Sequence, residues 1–196
     1  MKYASILHKL KNKFLMKKLV LVVLALFFIN CSNSEDISEL NNQSTIDVYV
    51  AGQKNGNATY WKNNTEITLD NGGFSTSTAN KIIVHNNNVY VFGSSGSTYI
   101  LWENGSLTNL NEEFQEPSYE LDYITDMIID SNDVYFIGYL KSLTNPTIYD
   151  LVYWKNGIKT VILSNCIYRH QQSSIKVIDD NIYVFQKTII IKKVFL

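Results

Sequence analysis

Arginine occurs once in this chain of 196 residues, at Arg169. The 17 basic side chains are otherwise lysines, and they face 18 acidic ones. Six of the lysines (Lys2, Lys9, Lys11, Lys13, Lys17 and Lys18) lie in the first 30 residues, where no acid occurs. The rest of the chain therefore carries 11 basic groups against 18 acidic, a net charge of about −7. It offers no basic footprint to neutralise phosphates, which excludes nucleic acid as a partner. Histidine is nearly as scarce, with only His85 and His170 beyond residue 30. The chain has no His-Glu-x-x-His, no closely spaced Cys/His set, no EF-hand loop and no Gly-x-Ser-x-Gly. Zinc, calcium and serine-nucleophile chemistry need those spacings, so no metal and no cofactor is expected. A long apolar run is lacking too. Residues 19–29 form an unbroken run of eleven, whereas a membrane-spanning helix needs about 20.

What the N-terminal end does have is an ordered pattern of lysines, the apolar run, and then Asn30-Cys31. A run of that length behind basic residues is the hydrophobic region of a signal peptide, and Met16-Lys17-Lys18 is a better start for it than Met1. The segment Phe28-Ile29-Asn30-Cys31 resembles a bacterial lipobox, with Asn30 in place of the usual small residue. That resemblance implies a signal helix over residues 1–30, lipidation of the Cys31 thiol and attachment to a membrane through acyl chains. The location it implies is the cell envelope of a Gram-negative bacterium, at the outer membrane. Residues 31–45, which include Ser32-Asn33-Ser34-Glu35-Asp36, read as a flexible acidic tether. The tether is similar to the export signal of surface-displayed lipoproteins. With Cys31 lipidated, Cys166 has no partner for an intramolecular disulfide, and it reads as a half-buried small residue.

Residues 46–196 repeat themselves. Asp47-Val48-Tyr49-Val50, Asn88-Val89-Tyr90-Val91, Asp133-Val134-Tyr135-Phe136 and Asn181-Ile182-Tyr183-Val184 place their tyrosines 41, 45 and 48 residues apart. Ahead of the last three stand Lys81-Ile82-Ile83-Val84, Asp126-Met127-Ile128-Ile129 and Ser174-Ile175-Lys176-Val177, each followed by an Asn/Asp/Ser turn. Three residues past the first three tyrosines come Gly52, Gly93 and Gly138, expected to supply positive φ or a bulge where the strand ends. Next come Trp61-Lys62-Asn63-Asn64, Trp102-Glu103-Asn104-Gly105 and Trp154-Lys155-Asn156-Gly157. Asn-Gly is the strongest short-range hairpin signal, and it leads here into a further apolar run. Each unit thus predicts a four-stranded antiparallel meander, with strands A to D.

The period and these strand cues resemble bacterial β-propeller lipoproteins with degenerate Val-Tyr-Val-x-Gly and Trp-Lys-Asn-Gly repeats. The resemblance implies an all-β, propeller-like array of three to four blades, near residues 46–70, 80–110, 124–163 and 174–196. A β-sandwich is the other all-β reading, but its strands need not repeat one another. The first unit lacks strand A, and the last reads as incomplete, with Gln186 at the glycine position and an off-pattern tail over residues 187–196. The array is therefore expected to be truncated, with open blade edges that favour self-association. The repeated tyrosines and tryptophans are expected to pack blade on blade instead of forming ligand platforms.

Meander geometry puts the A–B and C–D turns at one end and the B–C and D–A connections at the other. The tight turns are expected at the first end. The long segments 111–123, 141–147 and 164–173 all fall at the second, where loop diversity usually carries function. The candidate binding face is Glu112, Glu113, Glu116, Tyr119, Tyr123, Arg169 and His170, with Phe114 and Glu120 nearby. Acidic groups among aromatics suit a protein or glycan partner. No catalytic residue is assigned, since Glu112, Glu113 and Glu116 could pair for acid–base work but a charged loop run is usually just solvated. The function expected is a non-catalytic, lipid-anchored binding module. The alternatives are a fragment of a propeller-hosted glycan hydrolase or lyase, or a product without function.

Overall fold

The computed structural model describes residues 46–167, 169, 173–186 and 189–194. Cys31 with the whole segment 1–45, and His170, lie outside the described residues. Among the described residues four antiparallel sheets follow one another along the chain. The first holds β1 (Tyr49–Lys54), β2 (Asn57–Lys62) and β3 (Thr65–Thr68). The second holds β4 (Ser77–His85), β5 (Asn88–Ser95), β6 (Thr98–Glu103) and β7 (Ser106–Asn109). A short helix α1 (Leu110–Glu113) leads to the third, made of β8 (Tyr119–Asp130), β9 (Asp133–Ser142), β10 (Tyr149–Lys155) and β11 (Ile158–Cys166). The last holds β12 (Ser174–Ile178), β13 (Asn181–Gln186) and β14 (Ile189–Val194).

The register shows that the repeat in sequence is a repeat in structure. The residue after each tyrosine pairs with the tryptophan, as Val50 with Trp61, Val91 with Trp102, and Phe136 with Trp154. In the last sheet Val184 pairs with Ile191, so the off-pattern tail supplies the third strand without a tryptophan. Asn and Asp set the turns by adopting positive φ, at Asn86 and Asn87, at Asn104 with Gly105, at Asn156 with Gly157, and at Asp179 and Asp180. The expectation that tight turns keep to the A–B and C–D end is corrected. The B–C turn of the first sheet is an Asn55-Gly56 pair with φ of 50° and 83°, and Gly96 turns the second at 58°.

The tryptophan-proximal asparagine does more than turn the chain. Its Oδ1 accepts from the backbone N–H that opens the tyrosine strand: Val48 N to Asn63, Val89 N to Asn104, and Val134 N to Asn156, at 2.9–3.0 Å. Its Nδ2 donates to the side chain before that residue, at Asp47, Asn88 and Asp133. Where that partner is Asp, the residue after Trp is a lysine that salt-bridges it at 2.8 Å, as Lys62 to Asp47 and Lys155 to Asp133. Where it is the uncharged Asn88, the lysine is replaced by Glu103, so the ion pair is absent and the hydrogen bond from the Asn104 amide remains. Hydrogen bonds from Lys62 and Asn63 hold the Asp47 carboxyl below its ordinary range, and the pairing pushes the Lys62 amine up to about 12.

For the glycines, the expected positive φ and strand end are corrected, while a bulge does accompany Gly93 and Gly138. Gly93 and Gly138 lie inside β5 and β9, short of their ends, and neither has positive φ. Each faces a bulge in the neighbouring strand, between Ala79 and Lys81 in β4 and between Ile124 and Asp126 in β8. A Cβ on Gly93 would stand 1.9 Å from the Thr78 carbonyl oxygen, and on Gly138 2.2 Å from that of Tyr123.

Three apolar layers lie between successive sheets. Ala58 and Leu69 meet Val91, Ile100 and Trp102. Tyr90 and Phe92 meet Met127, Phe136 and Trp154. Tyr135, Ile137 and Tyr139 meet Ile175, Ile182 and Val184. Strand alternation explains this, because successive side chains point to opposite faces, so each of the two inner sheets serves two layers. Trp102 and Trp154 are fully buried, each toward the sheet before it. Trp102 Nε1 donates to the Asp70 carbonyl at 2.8 Å, and Trp154 stacks on Phe114 at 4.3 Å and 8°. Asp126 ties three sheets, accepting from Lys81 Nζ in β4 at 2.6 Å and from the Ile175 N–H in β12 at 3.3 Å.

In the layer between the third and fourth sheets, Tyr139 Oη is satisfied by Ser173 and Gln186. Tyr153 is just as buried, yet its hydroxyl has no partner among the described residues. An unpaired buried hydroxyl costs about 1–3 kcal/mol. Tyr153→Phe is therefore expected to raise stability by about 1 kcal/mol and Tyr139→Phe to lower it by a similar amount, read as opposite shifts in urea midpoint.

Candidate functional site

The D–A connection after the second sheet opens with α1. Asn109 caps it, its Oδ1 accepting from the Asn111 and Glu112 N–H groups while its Nδ2 donates to Glu112 Oε1 at 2.8 Å. The Asn-x-x-Glu spacing is that of a capping box and is present in the sequence, but Glu112 reaches back to the Asn109 side-chain amide instead of its backbone N–H. Asn111 Oδ1 then accepts from the Tyr99 N–H at 2.8 Å, pinning the helix to β6. The Leu143 N–H donates to the Ser118 carbonyl at 3.0 Å, which brings the B–C connection of the third sheet onto this D–A connection. Between them lies an open groove of about 500 Å³, lined by Asn109, Asn111, Glu112, Gln115, Glu116, Tyr119, Glu120, Leu121 and Leu143.

Four of the expected residues thus divide unequally from the rest. Glu112, Glu116 and Tyr119 meet in the groove, with Glu120 beside them. Tyr119 is not in a loop but opens β8, and Tyr123 lies further along it. Glu113 turns the other way, its carboxylate beside Gly157 in a separate apolar cleft that includes Phe114 and Phe136. Tyr123 belongs to a neighbouring cluster in which Arg169 pairs with Asp122 at 2.6 Å and lies 5.9 Å from the Tyr123 ring centre. Tyr99 meets Tyr123 edge-on at 6.0 Å.

The carboxylates of the groove are individually committed. Glu116 binds Lys159 at 2.8 Å, and Glu120 binds Lys141 at 2.8 Å. Lys159 also lies 5.9 Å from the Tyr119 ring centre. Sequence reading had no route to these cations, because they come from β11 and β9, tens of residues away. Asp150, chiefly by its charge, raises the Tyr119 hydroxyl above its ordinary range, keeping it protonated and able to donate. Among the described residues no group of three His, Cys, Asp or Glu side chains could hold a metal. Cys166 is half-buried, with its thiol pushed up by burial. Comparison with protein-family models, curated proteins and solved structures gives no match.

Burial, aided by the charge of Tyr123, pushes the Tyr99 hydroxyl up to about 12. Its folded value lies above the ordinary value near 10. The associated stability is therefore full below about pH 10 and is lost as pH rises toward about 12. Thermal melts between these values should drop less steeply for Tyr99→Phe than for the parent.

Proposed function

We propose that this protein is a lipid-anchored, non-catalytic binding module of a Gram-negative cell envelope, whose sheets are consecutive blades of a β-propeller. One observation carries the fold reading. Each sheet after the first presents the same strand positions to its predecessor, and the tryptophan strand occupies the same register in the first three sheets. The groove supports binding over chemistry, because its carboxylates are spent on lysines and on a helix cap. Amides, carboxylates and a tyrosine ring along an open cleft suit the hydroxyls and C–H faces of a glycan.

Full-length protein in detergent should retain specific oligosaccharides on a glycan array. Tyr119→Ala should weaken that binding about tenfold, equivalent to about 1.4 kcal/mol. Release of new reducing ends from a bound glycan would overturn the non-catalytic reading, and binding only to protein baits would overturn the glycan assignment. For the anchor, cells fed an alkyne-tagged fatty acid should label the protein through Cys31. Label retained by Cys31→Ser would refute the attachment.

A further inference from the structure

The internal layers follow a composition rule with two halves. In the second and third layers the sheet before contributes the repeated tyrosine and the residue two further on, as Tyr90 with Phe92 and Tyr135 with Ile137, whereas in the first layer only Ala51 of that pair packs against the core. The sheet after contributes the residue following its own tyrosine, as Val91, Phe136 and Val184, exposed by only 1%, 4% and 0%. The two terminal sheets each display one unmatched half of that rule. On the first, Val50 occupies the position of those three residues yet is 52% exposed, with Val48 at 56% and Trp61 only part-buried beside it. On the last, Phe185 occupies the position of Phe92 and Ile137 yet is 38% exposed, next to part-buried Tyr183.

We propose that these two faces bind each other between two copies of this chain, head to tail, continuing the internal sheet packing across the boundary. The donor half and the acceptor half are both on this molecule. The Val50 face copies a strand position buried in all three layers, and the Tyr183 and Phe185 face copies positions packed in two of them. Such an interface is heterologous, and a two-fold rotation between two copies closes it when each supplies both faces. The interface depends on the repeat packing alone and is independent of the lipid and of the groove ligand.

The test uses full-length protein in detergent, with the double variant Cys31→Ser and Cys166→Ser as the parent. Two differently tagged variants, Val50→Cys and Phe185→Cys, are mixed and treated with a short bismaleimide, whose reach suits the roughly 10 Å between packed sheets. A cross-linked dimer carrying both tags is expected, absent from the parent and from either variant alone. Sedimentation should show a concentration-dependent dimer, with its dissociation constant raised at least tenfold by Val50→Asp or by Phe185→Asp. Both positions are exposed, so a retained cooperative melt would show that each variant is folded. A monomer at all concentrations, a dimer linked Val50 to Val50, or linkage within one chain carrying both cysteines would overturn the proposal. The last outcome would mean that the two ends of one chain, or its N-terminal segment, bring these faces together.

Discussion

Trp102→Ala and Trp154→Ala should each cost about 3–5 kcal/mol of folding free energy, while Trp61→Ala should cost only about 1 kcal/mol. The three residues occupy one register position, so propensity and local sequence cannot separate them. Burial does. Trp102 and Trp154 are exposed by 0% and 1%, each wedged against the preceding sheet, and Trp102 also holds the Asp70 carbonyl. Removing either ring opens a cavity that neighbouring strands cannot collapse into without losing their ladder. Trp61 has no preceding sheet among the described residues and remains part-exposed. Urea titration of the three variants gives the comparison directly, and equal losses at all three would contradict the layered packing.

Gly93→Ala and Gly138→Ala should be nearly as damaging, at about 3 kcal/mol or more each, whereas Gly52→Ala should stay within about 1 kcal/mol. At the first two positions the added carbon would meet a backbone carbonyl at 1.9 or 2.2 Å, which no rotamer change relieves. The strands must separate, and the bulge opposite must reform. At Gly52 the nearest atom is on the Trp61 ring at 3.2 Å, a side chain with room to shift. Because positive φ is not involved at any of the three, asparagine should rescue none of them. A d-alanine-like tolerance for Asn would point back to a turn conformation.

The two comparisons also mark where sequence reading succeeds. The tryptophan strand and the tyrosine strand beside it were legible because strand period and turn chemistry act over a few residues. The glycine repeat was legible as a pattern, but its cause was not, since the clash is with a strand some 15 residues earlier. The same limit applies to β14. Its residues Ile189–Val194 abandon the repeat, yet they pair with β13 because ladder hydrogen bonds need a backbone and no tryptophan. Helix α1 was readable from Asn109 and Glu112, a capping pair that the strand-centred pattern masked.

For the candidate face, the end of the meander on which Glu112, Glu116 and Tyr119 meet followed from strand order. Their partners did not. Glu116 with Lys159, Glu120 with Lys141 and Asp122 with Arg169 each join distant parts of the chain. Glu113 diverged from its neighbours because one residue along a helix turns a side chain by about 100°.

By itself the sequence determined the repeated strands, their antiparallel order and the positions that recur, because hairpin formation is decided by adjacent residues. Only the tertiary structure decided which tryptophans are buried, why Gly93 and Gly138 admit no side chain, and which carboxylates are already neutralised. Those outcomes depend on atoms brought close from separate sheets, and no local pattern encodes that distance.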